Sequence, residues 1–160
     1  MKNLQDILYG VKLLETHGAT NIDFTEIQFD SRKVKDGAVF VATKGVQVDG
    51  HEFIQKSLDA GAVAIVCEEL PTNLANGITY IKVSDSHEAL GLMASNYFEQ
   101  PSKQLKLVGV TGTNGKTTTT TLAHDLITDL GYPAGLISTV VNKVNQEEIP
   151  ATHTTPNPLA

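Results

Sequence analysis

Val108-Gly109-Val110-Thr111-Gly112-Thr113-Asn114-Gly115-Lys116-Thr117-Thr118 joins a β-branched apolar run to a glycine loop and then to a helical pattern. Glycines let a backbone curl until several N–H groups face one anion, and the helix that follows adds its positive end. Lys116 supplies a point charge and Thr117 a hydroxyl suited to Mg²⁺. The stretch therefore reads as a phosphate-binding loop between a strand and a helix, the joint of a nucleotide-binding α/β sheet. The common form of this loop has Gly five residues before the Gly-Lys pair; here Val110 holds that place, so Gly112 makes the turn. The bland alternative is a turn that binds nothing. It leaves one conflict unexplained, because Thr117 to Thr121 opens the helix with β-branched residues against local preference. Hydroxyls kept for function account for that conflict better than packing does.

Working outward, Leu122, Ala123, Leu126, Ile127 and Leu130 give the loop's helix an apolar face, ended by Gly131 and Pro133. A strand is expected before the loop from Leu105 and another over Ala134–Val141, followed by a polar tail from Asn142 with no helix. Only about one and a half βα units follow Pro101, so this second domain reads as cut short. Gln100-Pro101-Ser102 marks a boundary between residues 1–101 and 102–160.

In the first part, Leu4, Ile7, Leu8, Val11 and Leu14 predict a helix over about residues 3–16, stopped by Gly18. Glu26–Phe29, Val39–Ala42, Ala62–Cys67 and Ile78–Val83 read as strands, the third apolar throughout and so covered on both faces. Asp49 with Glu52, and Asp85 with Glu88, look like helix caps. Taken alone, Asp30-Ser31-Arg32 and Asp49-Gly50-His51 are turns with local side-chain hydrogen bonds. No histidine sits at metal-ligand spacing, and Cys67 reads as a small buried hydrophobe.

Composition narrows the class. The 160 residues are 41% hydrophobic, enough for a core, with a formal net charge of -6. Without clustered Lys and Arg, nucleic acid is excluded as a partner. A single Cys fits a reducing compartment. No signal peptide or bilayer-length apolar run heads or interrupts the chain, so no membrane insertion and a cytoplasmic monomer are expected.

These motifs also occur together. Asp30-Ser31-Arg32, Gly37-Ala38-Val39-Phe40-Val41-Ala42, Gly45, Asp49-Gly50-His51-Glu52-Phe53-Ile54 and Gly61-Ala62, in that order, resemble the N-terminal uridine-nucleotide domain of the Mur ligases. Thr111 to Thr118, Val110 included, resembles the ATP loop of the same family, and His153-Thr154-Thr155-Pro156 the substrate loop of its third-residue-adding branch. The resemblance implies an α/β fold: a small uridine-nucleotide domain over 1–101, then the incomplete beginning of a P-loop ATPase domain. It implies an ATP-dependent carbon–nitrogen ligase of peptidoglycan precursor synthesis. Such an enzyme adds L-lysine or meso-diaminopimelate to UDP-N-acetylmuramoyl-L-alanyl-D-glutamate through an acyl phosphate. By the same likeness Gly112, Thr113, Asn114, Gly115, Lys116, Thr117 and Thr118 bind ATP, with Lys116 catalytic and Thr117 on Mg²⁺. Ser31 and the Gly45–Val48 segment, Gln47 above all, face the uridine diphosphate, and Thr154 and Thr155 the muramoyl dipeptide. The amino-acid site and remaining metal ligands would lie beyond Ala160, so the chain alone is expected to be inactive. Two alternatives stay open: a D-alanyl-D-alanine-adding ligase of the same family, and a noncatalytic nucleotide-binding module.

Overall fold

Apolar side chains alternating across three adjacent strands decide where the first unit puts its core. In the computed structural model, which describes residues 2–45, 48–151 and 157–159, the chain divides into two units between Gln104 and Leu105. The first unit contains β1 (Lys2–Asn3), α1 (Leu4–Ile7), β2 (Leu13–His17), β3 (Asp23–Phe24), β4 (Ile27–Gln28) and β5 (Val39–Val41). A 3₁₀ turn (Gly50–Phe53) then runs into α2 (Ile54–Asp59), followed by β6 (Ala64–Cys67), β7 (Thr79–Val83) and α3 (Ser86–Tyr97). Its five-stranded sheet has the order β2-β7-β6-β5-β4. Strands β4 to β7 are mutually parallel, and β2 closes one edge antiparallel to β7.

Period-two alternation sends Val39, Val41, Ala64, Val66, Ile81 and Val83 to one face, where Leu4 and Ile7 of α1 and Leu90 and Met93 of α3 cover them. Ala38, Phe40, Ile65, Cys67 and Tyr80 face the other way, beneath Ile54 of α2. The central strand β6 is wholly buried, as its unbroken apolar run predicts. Each large side chain buried here contributes about 1.5–3 kcal/mol, so this three-layer core is the main source of stability in the unit. The consequence for function is geometric: the carboxyl ends of β4, β5, β6 and β7 share one edge of the sheet.

The helix expected over about residues 3–16 is shorter. Asn3 caps α1 by accepting the Gln5 N–H at 3.0 Å, and Gly10, at φ +79°, turns the chain away. Asn96 of α3 then donates to the carbonyls of Ile7 at 3.0 Å and Tyr9 at 2.7 Å, which satisfies the helix end. Leu13–His17 is a strand because the edge of β7 offers it a ladder, and Leu13 and Leu14 are exposed rather than core.

In the second unit, α4 (Lys116–Asp129) is followed by β8 (Gly135–Leu136), β9 (Val141–Val144) and β10 (Glu147–Pro150), an antiparallel sheet in the order β10-β9-β8. Gly131 at φ +84° ends α4 as expected. Three expectations are corrected. The residues from Leu105 to Val110 form no strand: among the described residues every ladder of this unit runs among β8, β9 and β10 and offers these residues no partner, and Leu107 and Val108 are exposed. The strand expected over Ala134–Val141 breaks after Leu136, where the Ser138 hydroxyl donates to the Val141 carbonyl at 2.6 Å and holds a turn. The apolar face of α4 is not buried: Leu122, Leu126, Ile127 and Leu130 are exposed and His124 is the buried residue, since no strand among the described residues packs over that stripe. The polar tail contributes β9 and β10, turned by Asn145 at φ +54°. Among the described residues, no helix is long and apolar enough to cross a membrane.

Two glycines test the backbone account. Gly61 has φ +97°, and a Cβ there would lie 2.8 Å from the Asp36 Cα, whereas Gly77, at φ +80°, has open space. Denaturant unfolding of Gly77→Ala should show a loss of about 1 kcal/mol from left-handed strain alone. Gly61→Ala adds the overlap and should lose at least about 2 kcal/mol; equal losses would refute the steric reading.

Candidate functional site

Open α/β sheets bind ligands outside the carboxyl ends of parallel strands, because loops leave the sheet there and helix N-termini point back at it. In the first unit that edge collects the segments after β4, β5, β6 and β7: Asp30-Ser31-Arg32, Lys44-Gly45 with Val48-Asp49, Glu68-Glu69 and Asp85-Ser86. Residues far apart in sequence thus meet because four strands run the same way.

After β4, Asp30 accepts the Arg32 N–H at 3.0 Å and takes its guanidinium in a fork, at 2.9 Å from Nε and 2.8 Å from Nη2. The Arg32 side chain holds the Asp30 carboxyl down at about 2, from an ordinary 3.8. Asp30 is thereby a turn-former, and the partly buried Ser31 between the pair has no hydrogen-bond partner among the described residues. Its hydroxyl is available to a ligand.

After β5, a bridge pairs Lys44 with Asp49. The Gly45 N–H donates to Val48 O at 3.0 Å, and the Gly50 N–H donates to Thr43 O at 2.9 Å. Gly50 is required: a Cβ would fall 2.6 Å from the Thr43 carbonyl oxygen. Asp49 caps the 3₁₀ turn through the His51 N–H at 2.9 Å, and the same oxygen lies 2.6 Å from His51 Nδ1. His51 Nε2 in turn receives the backbone N–H of Glu68 at 2.9 Å and of Glu69 at 3.3 Å. Lys44 Nζ reaches Glu69 at 2.8 Å and Glu68 at 3.5 Å. Glu68 also accepts from the N–H and hydroxyl of Ser86, at 2.9 and 2.8 Å, and the Ser86 N–H leads the causes that hold its carboxyl below the ordinary range. His87 Nε2 donates to the Lys44 carbonyl at 2.9 Å. Cys67, at the end of β6, is no nucleophile, because burial pushes its thiol up to about 11.

In the second unit, the glycine loop is exposed and curls under Gly112 (φ +149°) and Gly115 (φ +81°), the latter immediately before α4. Lys116 folds back over the loop, donating from Nζ to the carbonyls of Gly112 and, at 3.2 Å, Thr113. No side chain caps α4, so the N–H groups of its first turn are left facing the loop. The Thr120 hydroxyl absorbs part of the threonine conflict by donating back to Lys116 O at 3.0 Å and Thr117 O at 3.1 Å. A curled loop, an uncapped helix start and a lysine held by neutral carbonyls suit a phosphate, which would outcompete those carbonyls for the ammonium.

The structure brings Ser31 and Gly45 to one sheet edge; Gly112, Thr113, Asn114, Gly115, Lys116, Thr117 and Thr118 form the loop and start of α4 in the other unit. Gln47, Thr154 and Thr155 lie outside the described residues. Sequence reasoning took Asp49 as a cap and missed what surrounds it: Lys44, His51, Glu68, Ser86 and His87 form one polar network. The available signal was position, since Glu68-Glu69 and Asp85-Ser86 each follow a strand at its carboxyl end.

Comparison with known proteins adds lineage to this geometry. The family model described as Mur ligase family, catalytic domain, matches residues 23–98, and that of the Mur ligase middle domain matches residues 110–160. The chain is 51% identical over 158 residues to the UDP-N-acetylmuramoyl-L-alanyl-D-glutamate--2,6-diaminopimelate ligase of Cytophaga hutchinsonii, a match covering 98% of this chain and 32% of that one. A solved structure of a ligase of that name aligns with a TM-score of 0.70 and 26% identity, over 99% of this chain and 31% of its own. A solved UDP-N-acetylmuramoylalanyl-D-glutamyl-2,6-diaminopimelate--D-alanyl-D-alanyl ligase from Acinetobacter baumannii aligns with a TM-score of 0.59 and 27% identity, over 80% of this chain and 28% of its own. The chain spans about a third of the length of the curated relatives it matches.

The Asp30–Arg32 fork makes a pH prediction. A carboxyl lowered from 3.8 to about 2 contributes stability that is complete above 3.8 and is lost as pH falls through about 2. Carboxyl NMR titration should find Asp30 near the lower value, and Arg32→Ala should return it toward 3.8. An unchanged titration in the variant would refute the fork as the cause.

Proposed function

Because the chain belongs to the Mur ligase family, we propose that its protein is the ATP-dependent ligase that joins 2,6-diaminopimelate to UDP-N-acetylmuramoyl-L-alanyl-D-glutamate. The observation that carries this reading is 51% identity, over nearly the whole chain, to a ligase named for that reaction. Residues 1–101 form the uridine-nucleotide domain and 102–160 open the ATP domain. The cytoplasm is its compartment, and it works as a monomer.

The Ser31 hydroxyl and the Gly45–Val48 segment, Gln47 above all, bind the uridine diphosphate. Hydroxyls and amides suit such an anion, since both donate without carrying charge. Thr154 and Thr155 bind the muramoyl dipeptide. In the second unit Gly112, Thr113, Asn114 and Gly115 wrap the ATP phosphates, and the first-turn N–H groups of Lys116, Thr117 and Thr118 face them. Lys116 moves from the loop carbonyls to the terminal phosphates, and Thr117 would hold Mg²⁺. ATP supplies the phosphoryl group that activates the D-glutamyl carboxylate toward the amine. The work of these residues is positioning and charge neutralisation. The chain spans 32% of the length of that relative, and the 160 residues alone should show no turnover.

In the full-length protein, Lys116→Ala should lower phosphate release that depends on both the nucleotide dipeptide and diaminopimelate by about a hundredfold or more. Unchanged release in that variant overturns the assignment of Lys116. A full-length protein that binds nucleotide but never consumes ATP is a noncatalytic module instead.

A further inference from the structure

The two ends of the segment after β5 are tied to the same place. Lys44, at its start, reaches the Glu69 and Glu68 carboxylates that follow β6. Asp49, at its end, reaches the backbone of the same two residues through the His51 ring. These ties are not equal. The Lys44 side chain is 42% exposed and that of Glu69 75%, and an ion pair so open to water contributes about 0–1 kcal/mol. The His51 side chain is only 13% exposed, and its hydrogen bonds are correspondingly harder to replace by water.

The ring's protonation follows from its partners. Two N–H groups point at Nε2, and an N–H can only donate, so Nε2 carries a lone pair. The ring proton is then on Nδ1, 2.6 Å from the Asp49 carboxylate, which the His51 N–H also orients. Only the neutral Nδ1–H tautomer satisfies every partner; the other tautomer or the cation would set a ring N–H against the Glu68 N–H. We propose that His51 is a positioning residue for the nucleotide substrate: its neutral Nδ1–H ring braces the Lys44 and Asp49 ends of the segment after β5 against the end of β6, preserving the Gly45 N–H to Val48 carbonyl hydrogen bond that shapes that segment for the ligand. This rests on the reading above, in which that loop faces the uridine diphosphate. Asp49 locks the tautomer, and Glu68, anchored to Ser86, keeps the acceptor's target in place.

Two variants separate bracing from general stability. His51→Leu removes all three ring hydrogen bonds; His51→Gln keeps an acceptor near the Nε2 position. Calorimetry of the 160-residue chain with UDP-N-acetylmuramoyl-L-alanyl-D-glutamate should show binding weakened about tenfold by His51→Leu, with His51→Gln recovering to within about threefold of wild type. Nitrogen-15 spectra of the wild-type ring at pH 8 should report the Nδ1–H tautomer. Wild-type affinity in His51→Leu, a His51→Gln as weak as His51→Leu, or the Nε2–H tautomer would each overturn the proposal. If wild type binds no nucleotide dipeptide, the functional reading falls, and amide exchange at Gly45 and Val48 decides the brace by itself. Faster exchange in His51→Leu than in His51→Gln supports it, and equal rates overturn it. Should His51→Leu fail to fold, the wild-type tautomer decides.

Discussion

Everything the first unit offers a ligand depends on one constraint, the parallel pairing of β4, β5, β6 and β7. A parallel strand must return over the sheet before the next begins, so all four release their following segments at the same edge. The apolar alternation of β5, β6 and β7 sets the register, because a one-residue slip would exchange Phe40, Ile65 and Tyr80 for Val39, Val66 and Ile81 between the two faces. The site is therefore a by-product of core packing. Asp30, Ser31, Lys44, His51, Glu68 and Ser86 share one edge of the sheet because the strands before them run the same way.

That dependence explains what was legible in the sequence. Ala62–Cys67 announced a strand buried on both faces, and the Asp85 cap announced α3, since both signals are local and strong. The resemblance named Ser31 and the loop from Gly45 because those motifs are read as strings. The His51 bridge was not legible, for it joins residues 17 and 18 positions apart through a ring nitrogen whose role only the backbone of Glu68 and Glu69 defines. The first helix was over-read for a related reason. Leu13 and Leu14 continue the helical stripe, but the open edge of β7 claimed them, a tertiary preference that local spacing cannot register.

The second unit shows the same lesson with the opposite sign. The glycine loop and its helix formed where the local pattern placed them, with Gly115 just before the helix and Gly131 just after it. Features that need partners did not: Leu105 to Val110 found no ladder, and the apolar stripe of α4 found no cover among the described residues. A phosphate loop is a local device built from backbone curl, helix start and one lysine, whereas a parallel strand is a collective one.

The central claim is that the carboxyl edge of the first unit's sheet receives the nucleotide substrate. Amide chemical-shift mapping of the 160-residue chain with UDP-N-acetylmuramoyl-L-alanyl-D-glutamate addresses it most directly. The account predicts the largest shifts at Ser31, Gly45, Val48 and the backbone of Glu68. Shifts confined to Thr111–Thr118, or absent from the sheet edge at saturating ligand, would contradict it.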